Sequence, residues 1–318
     1  MMATGWNRRA VLAIAGMASS LPVRAWPGQP GGGGMRSRYM NCAGREIHFT
    51  EWGSPAGEPV VVWHGLTQNC RAFDRLNAAL AERYRVICPD TIGRGLSEWA
   101  RDPVAEYTLE NYGRLALTLL DQLGIDRLRW VGVSMGGMLG IALAGDELRG
   151  RISHLVLNDV GPVARINAPD NAGRASGVLQ QKRQKPEFAT MADFMQYLRA
   201  QYTLLSGVVL DEADWWTFAE ISARRSDAGR ITMHHDPQVL ERFAETIEGL
   251  DYWPQYERIG ARTLVLHGAE STVLPAALAQ EMGRRGPRPR IVDFPGIGHA
   301  PFLWSAAEIE LLRAFLDD

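Results

Sequence analysis

Cysteine is scarce in this chain. There are three in 318 residues, Cys42, Cys70 and Cys88, too few for the disulfide framework of a small secreted fold. Neither a CxxC pair nor a Cys/His cluster has zinc spacing, so no metal is expected. An excess of charge is also lacking. Lys and Arg total 34, Asp and Glu 36, and the formal net charge is −2. That excludes the basic footprint of a nucleic-acid partner, and no block of one sign marks a charged tail. Long hydrophobic runs are missing too. The N-terminal stretch "NRRAVLAIAGMASSLPVRAW" is broken by Gly and Ser and falls short of the ~20 apolar residues a membrane span needs. No internal repeat is visible, and Gly31–Gly34 is the only low-complexity segment.

Apolar residues are plentiful, at 46% of the chain. That is enough for one large core carrying an insertion. At the N-terminus, Arg8 and Arg9 precede the mild apolar stretch, and Val23-Arg24-Ala25 follows it. This pattern resembles a twin-arginine export signal with cleavage after Ala25, and "PGQPGGGG" would be a flexible linker. A periplasmic or secreted protein is the expectation; a start at Met35 would instead give a cytoplasmic one.

Beyond the linker, "RSRYMN" and "GREIHFTEWG" read as a hairpin. "PVVVWHG" reads as a strand buried on both faces. Strands and helices then alternate: helix "RAFDRLNAALAERY", strand "YRVICPD", helix "TLENYGRLALTLLDQLG", strand "RLRWVGV", helix "SMGGMLGIALAGDE", strand "ISHLVLND". The rhythm breaks at Gly161 and yields only helical patterns, among them "MADFMQYLRAQYTLL", "EADWWTFAEISARR" and "DPQVLERFAETI". It resumes with "ARTLVLHG", "PAALAQEMGRR", "RIVDFPG" and "AAEIELLRAFL". The expected architecture is α/β: a doubly wound, mostly parallel sheet of about eight strands with an inserted helical cap. The expected division is a signal plus linker over 1–34, a core over 35–160 and 257–318, and a cap over 161–256.

"GVSMG", Gly132–Gly136, fits G-x-S-x-G between a strand and a helix. That context puts Ser134 on a sharp turn ahead of a helix N-terminus, where a nucleophile is exposed and developing negative charge is favoured. "HGL", His64–Leu66, ends another strand. The N–H groups of Leu66 and Met135 are the candidate oxyanion hole, and His64 is expected to orient its loop by hydrogen bonding. "FPGIGHAPFL" places His299 on a glycine-rich loop after the last strand, where it suits a general base.

Through "HGL", "CPDTIGRGLS", "GVSMGG", "LVLND" and "GIGHAP", in this order and spacing, the chain resembles the α/β-hydrolase fold family from Arg36 to the C-terminus, apart from the cap. The resemblance implies acyl transfer, as in an esterase, lactonase, thioesterase or C–C hydrolase. Members that form alkyl-enzyme esters carry aspartate where this chain has Ser134. No metal or organic cofactor is implied. In "CPDTIGRGLS", Asp90 and Arg94 would support the rim of the site.

The acid of the triad is the open question. The family's order is Ser…Asp/Glu…His, and many relatives place an aspartate in the loop that here reads "LVLHGAESTVLP". Its place is taken by Thr272, which carries no charge. Glu270 lies two residues nearer the strand, and Asp159 ends the strand "LVLND", at the carboxyl edge where open α/β sheets build their sites. Asp159 is preferred, with Glu270 the rival.

In the cap, Phe188, Phe194, Met195, Tyr197, Tyr202, Trp215, Trp216, Met233 and Phe243 supply the cap's own core by default, and those facing the main domain would line a pocket above Ser134. Arg224, Arg225 and Arg230 read as solvated charge, with binding of a substrate carboxylate as the alternative. The expected function is a serine hydrolase acting on a small to medium carboxylic ester or lactone, a hydroxyacid oligomer included. A C–C bond hydrolase or lyase with the same triad, and a ligand-binding or catalytically impaired homologue, are the other two readings.

Overall fold

The computed structural model describes residues 34–163, 186–247 and 249–318. The export signal expected over Met1–Ala25, most of the glycine linker and the start of the insertion lie outside these residues. Among the described residues no helix is long and apolar enough to cross a membrane.

The chain opens with a hairpin, β1 (Arg36–Cys42) and β2 (Arg45–Trp52), followed by β3 (Glu58–Trp63). A short 3-10 turn, Cys70–Phe73, leads into α1 (Asp74–Leu80). Then come β4 (Tyr84–Pro89), a single turn α2 (Pro103–Glu106), α3 (Leu109–Gln122), β5 (Leu128–Val133), α4 (Met135–Gly145) and β6 (Ile152–Asn158). The insertion holds α5 (Met191–Ser206), α6 (Glu212–Ser222), β7 (Ala223–Arg225), β8 (Ile231–Met233), α7 (Gln238–Thr246) and α8 (Trp253–Glu257). The core closes with β9 (Arg262–Gly268), α9 (Ala276–Met282), β10 (Arg290–Phe294) and α10 (Ala306–Asp317).

Eight strands form one sheet in the order β1-β2-β4-β3-β5-β6-β9-β10. β2 runs antiparallel to both β1 and β4, and the remaining pairs are parallel. The strands alternate their side chains between two cores because successive residues point to opposite faces. Val61, Trp63, Trp130, Leu155 and Leu157 meet α3, α4 and α9 on one face. Val60, Val62, Val131, Val133 and Val156 meet α1 and α10 on the other. A strand covered on both sides has no polar face to keep, which is why "PVVVW" and "LVL" read as unbroken apolar runs.

The insertion departs from the all-helical expectation. The helix expected through Arg225 stops at Ser222, and Ala223–Arg225 instead pairs antiparallel with Ile231–Met233. Three-residue strands are too short to show a period, and the arginines of β7 mask it further. The aromatic cluster expected for the cap does form: Phe194, Met195, Tyr202, Trp215 and Met233 pack together, with Phe188, Tyr197 and Trp216 at its edge. It also takes in Phe302 and Trp304 from the loop before α10. Phe243 behaves differently. With Val239, Ile247 and Tyr256 it joins the sheet's own core, so α7 and α8 belong in packing to the main layer.

Candidate active site

β5 ends at Val133, and its ladder continues for one more residue: Ser134 N–H donates to Asn158 O at 3.0 Å. Asp159, next along β6, donates its N–H to Leu266 O of β9 at 2.8 Å. Three neighbouring strands therefore deliver Ser134, Asp159 and the β9 turn to the same edge.

Ser134 stands at φ 50°, ψ −113°, a sparsely populated region that costs an L-residue ~1–3 kcal/mol. The neighbours hold it there. A Cβ on Gly136 would run into the Trp63 carbonyl, and one on Gly132 into the Gly136 carbonyl, so both flanks of the motif must be glycine. α4 begins at Met135, and the first N–H groups of a helix lack intrahelical acceptors.

His299 Nε2 lies 2.8 Å from Ser134 Oγ, and its Nδ1 lies 2.7 Å from Asp159 Oδ2. Asp159 is fully buried and takes two further donors: Gly268 N–H to Oδ1 at 2.9 Å and Ser271 O–H to Oδ2 at 2.5 Å. Ser271 Oγ in turn accepts the N–H groups of Val273 and Leu274, each at 3.1 Å. The structure thus brings Asp159, His299 and Ser134 into one hydrogen-bonded line. Glu270 is exposed, and its backbone N–H donates to Ile297 O at 2.9 Å. Thr272 sits half-buried in the same loop.

The other candidate donor, Leu66, lies on the loop after β3. A Cβ on the preceding Gly65 would come within 3.7 Å of Ser134 Cβ, so this loop abuts the serine. Arg94, completely buried, fixes it by donating Nε–H to Leu66 O at 3.1 Å, while Nη1 reaches Ile92 O and Tyr112 OH, each at 2.8 Å. His64 ties the same loop to the turn after β4: Nε2 accepts Thr91 N–H at 2.9 Å, and Nδ1–H donates to Gly65 O at 2.6 Å. From the insertion, His234 accepts Gly95 N–H at 2.9 Å and donates to Thr67 O at 3.2 Å.

Burial pushes the imidazoles of His64 and His234 from the ordinary 6.5 down to about 4, so both are neutral in the fold at pH 7. Between about pH 6.5 and 4 the unfolded chain therefore binds protons that the folded chain refuses. Stability rises with pH wherever the unfolded state binds more protons, so acidification through this window removes it. At ~1.4 kcal/mol per unit, each histidine accounts for about 3 kcal/mol. The two effects overlap, because the charge of His234 also lowers His64. Urea denaturation at pH 7 and pH 4.5 is expected to show a loss of several kcal/mol, and equal midpoints would refute it.

Three residues around the Asp159–His299–Ser134 line are not marked as functional by the sequence. Ser271 is one. Asn158 is another: its Nδ2–H donates to Pro301 O at 2.9 Å, pinning the chain just after His299. The third is Ser206 at the end of α5. Its hydroxyl donates to His299 O, its carbonyl accepts Gly298 N–H at 2.7 Å, and Leu205 O accepts His299 N–H at 3.0 Å. The histidine loop is thereby fastened to the insertion. Ser206→Ala removes the side-chain bond only, worth ~1 kcal/mol. It is expected to lower kcat several-fold with KM unchanged, the pattern of a positioning residue; a rise in KM alone would contradict it.

A family model for the alpha/beta hydrolase fold matches residues 58–306, and the chain belongs to that family. It is 33% identical over 280 residues to the 3-hydroxybutyrate-oligomer hydrolase of Cupriavidus necator, covering 84% of this chain and 91% of the relative. It is 26% identical over 261 residues to the pimeloyl-[acyl-carrier protein] methyl ester esterase of Nitrosomonas europaea, covering 81% and 94%. Among solved structures, an alpha/beta hydrolase from Novosphingobium aromaticivorans superposes with a TM-score of 0.76 at 32% identity, over 89% of this chain and 98% of that one. Hydrolytic enzymes, ester hydrolases among them, thus stand among its relatives.

Proposed function

We propose that the protein is a serine hydrolase whose nucleophile is Ser134. The observation that carries this is the line Asp159–His299–Ser134, at 2.7 and 2.8 Å, ending on a serine held at a positive φ ahead of a helix. An ionised carboxylate only accepts hydrogen bonds. Asp159 therefore holds the proton on His299 Nδ1 and leaves Nε2 free to take the proton of Ser134 Oγ. Attack on an ester carbonyl gives an oxyanion, which the N–H groups of Leu66 and Met135 receive. The imidazolium then protonates the leaving alcohol. Water, deprotonated by the same imidazole, releases the acid. No step needs a metal or an organic cofactor.

For the substrate we propose a short linear oligoester of a hydroxy acid. The support is the Cupriavidus relative, matched along nearly its whole length. Such a chain presents repeated ester carbonyls, a terminal hydroxyl and a terminal carboxylate. The test is hydrolysis of 3-hydroxybutyrate dimer and trimer beside p-nitrophenyl butyrate and a lactone. The oligomers are expected to have the highest kcat/KM. Cleavage of the aryl ester alone would overturn the oligoester assignment, and inertness toward every ester would overturn the hydrolase.

A further inference from the structure

A second serine–histidine–carboxylate line lies at the far edge of the sheet. β1 is the edge strand, and β2, β4 and β3 separate it from β5. In the β1–β2 register Tyr39 faces His48 and Ser37 faces Thr50, so Ser37 and Tyr39 share one face with His48. Ser37 Oγ lies 2.7 Å from His48 Nε2, and His48 Nδ1 lies 2.7 Å from Asp90 Oδ2. Those spacings match the line at Ser134 to within 0.1 Å.

Asp90 is held as firmly as Asp159. It accepts Cys70 N–H at 2.7 Å and Leu96 N–H at 2.9 Å. Burial raises its carboxyl, but the bonds from His48, Cys70 and Leu96 and the nearby His64 bring it below the usual range. An ionised Asp90 fixes the His48 proton on Nδ1, and Nε2 then accepts from the Ser37 hydroxyl. His48 and Asp90 are each 1% exposed, whereas Ser37 is exposed, so the relay is buried and its nucleophile faces solvent. The Tyr39 ring, with its centroid 4.9 Å from that of His48, offers an apolar wall beside it. The ligand-type atoms of His48, Cys70 and Asp90 also lie within 4.8 Å of one another. Both imidazole nitrogens are already engaged in hydrogen bonds, however, which suits a proton relay better than a cation. As a mere clamp the line would add little to a strand already paired along Arg36–Cys42.

We propose that Ser37 is a second acylation site, activated by His48 and Asp90, that accepts an acyl group from activated carboxylic esters. Ser37 Oγ adds to the ester carbonyl and passes its proton to His48 Nε2. The bond to the leaving oxygen breaks, that oxygen takes the proton back from the imidazolium, and O-acyl-Ser37 remains. Ser37 lies within a strand, with no helix N-terminus behind it to stabilise an oxyanion, so the acyl group is expected to accumulate instead of turning over.

The test uses the full chain carrying Ser134→Ala, exposed to p-nitrophenyl acetate and read by intact mass and peptide mapping. It is independent of whether Ser134 is a catalyst. The expected result is acetyl-Ser37, formed about 10²-fold faster than acetylation of the exposed Ser54 in the same molecule, a typical general-base advantage. Adding Ser37→Ala, a surface change, is expected to abolish that adduct. Equal rates at Ser37 and Ser54, or an adduct that survives Ser37→Ala, would overturn the proposal.

Discussion

Ser134→Ala is expected to lower kcat for ester hydrolysis by about 10⁶-fold, the scale of nucleophile loss in a serine protease, with folding intact. The substitution removes one oxygen. The backbone turn is set by the crowding of Gly132, Gly136 and Trp63 and by the Ser134 N–H bond to Asn158 O at 3.0 Å, none of which involves the side chain. The variant keeps the Leu66 and Met135 N–H groups, so substrate binding should persist and KM should change little. Steady-state kinetics beside a thermal melt check this. Activity within tenfold of the parent would move the nucleophile elsewhere, and a collapsed melt would show that Ser134 acts in folding instead.

What was legible in the sequence is what local sterics impose. A serine forced to φ 50° needs small neighbours on both sides, and "GVSMG" supplies them within five residues. The two-faced burial of the strands shows as apolar runs, and their alternation with helices gives the parallel sheet. Contacts made across long stretches of chain leave no such trace. Ser271 reaches Asp159 over 112 residues, and Ser206 reaches His299 over 93; a hydroxyl at either place looks like any other loop or helix serine. The His48–Asp90 contact spans 42 residues and stays hidden for the same reason. The β7–β8 hairpin has too few residues to show a period. Phe302 and Trp304 follow the histidine in sequence yet join the aromatic cluster of α5 and α6.

The loop "LVLHGAESTVLP" reads in sequence as a place from which the usual carboxylate is absent. In sequence it is a strand end with Thr272 where an aspartate is usual. In the fold it binds Asp159, through Gly268 N–H and Ser271 O–H, and Ala269 and Glu270 N–H pair with Phe294 O and Ile297 O of the histidine loop at 3.1 and 2.9 Å. The Asp159 carboxylate stands one strand over, just past the end of β6, and the loop after β9 holds it. The exposed side chain of Glu270 contributes none of these bonds.

Asp159→Asn is accordingly expected to lower kcat by about 10⁴, or ~5 kcal/mol of barrier, and Glu270→Gln by less than about twofold, the scale of surface substitutions. Asparagine fits the volume, so packing gives no reason for the loss. Its Oδ1 would keep accepting Gly268 N–H, which turns Nδ2 toward Ser271 and His299. An amide N–H facing His299 Nδ1 forces that nitrogen to accept, so the ring proton moves to Nε2 and the imidazole can no longer take the proton of Ser134. Binding survives while proton transfer fails, so kcat should fall with KM nearly unchanged. Ser271→Ala lies between the two: it removes one of the three donors to Asp159 and leaves the His299 tautomer intact, and about a tenfold loss is expected, one charge-assisted hydrogen bond's worth. A series in which Glu270→Gln costs more than Asp159→Asn would transfer the acid to the β9 loop.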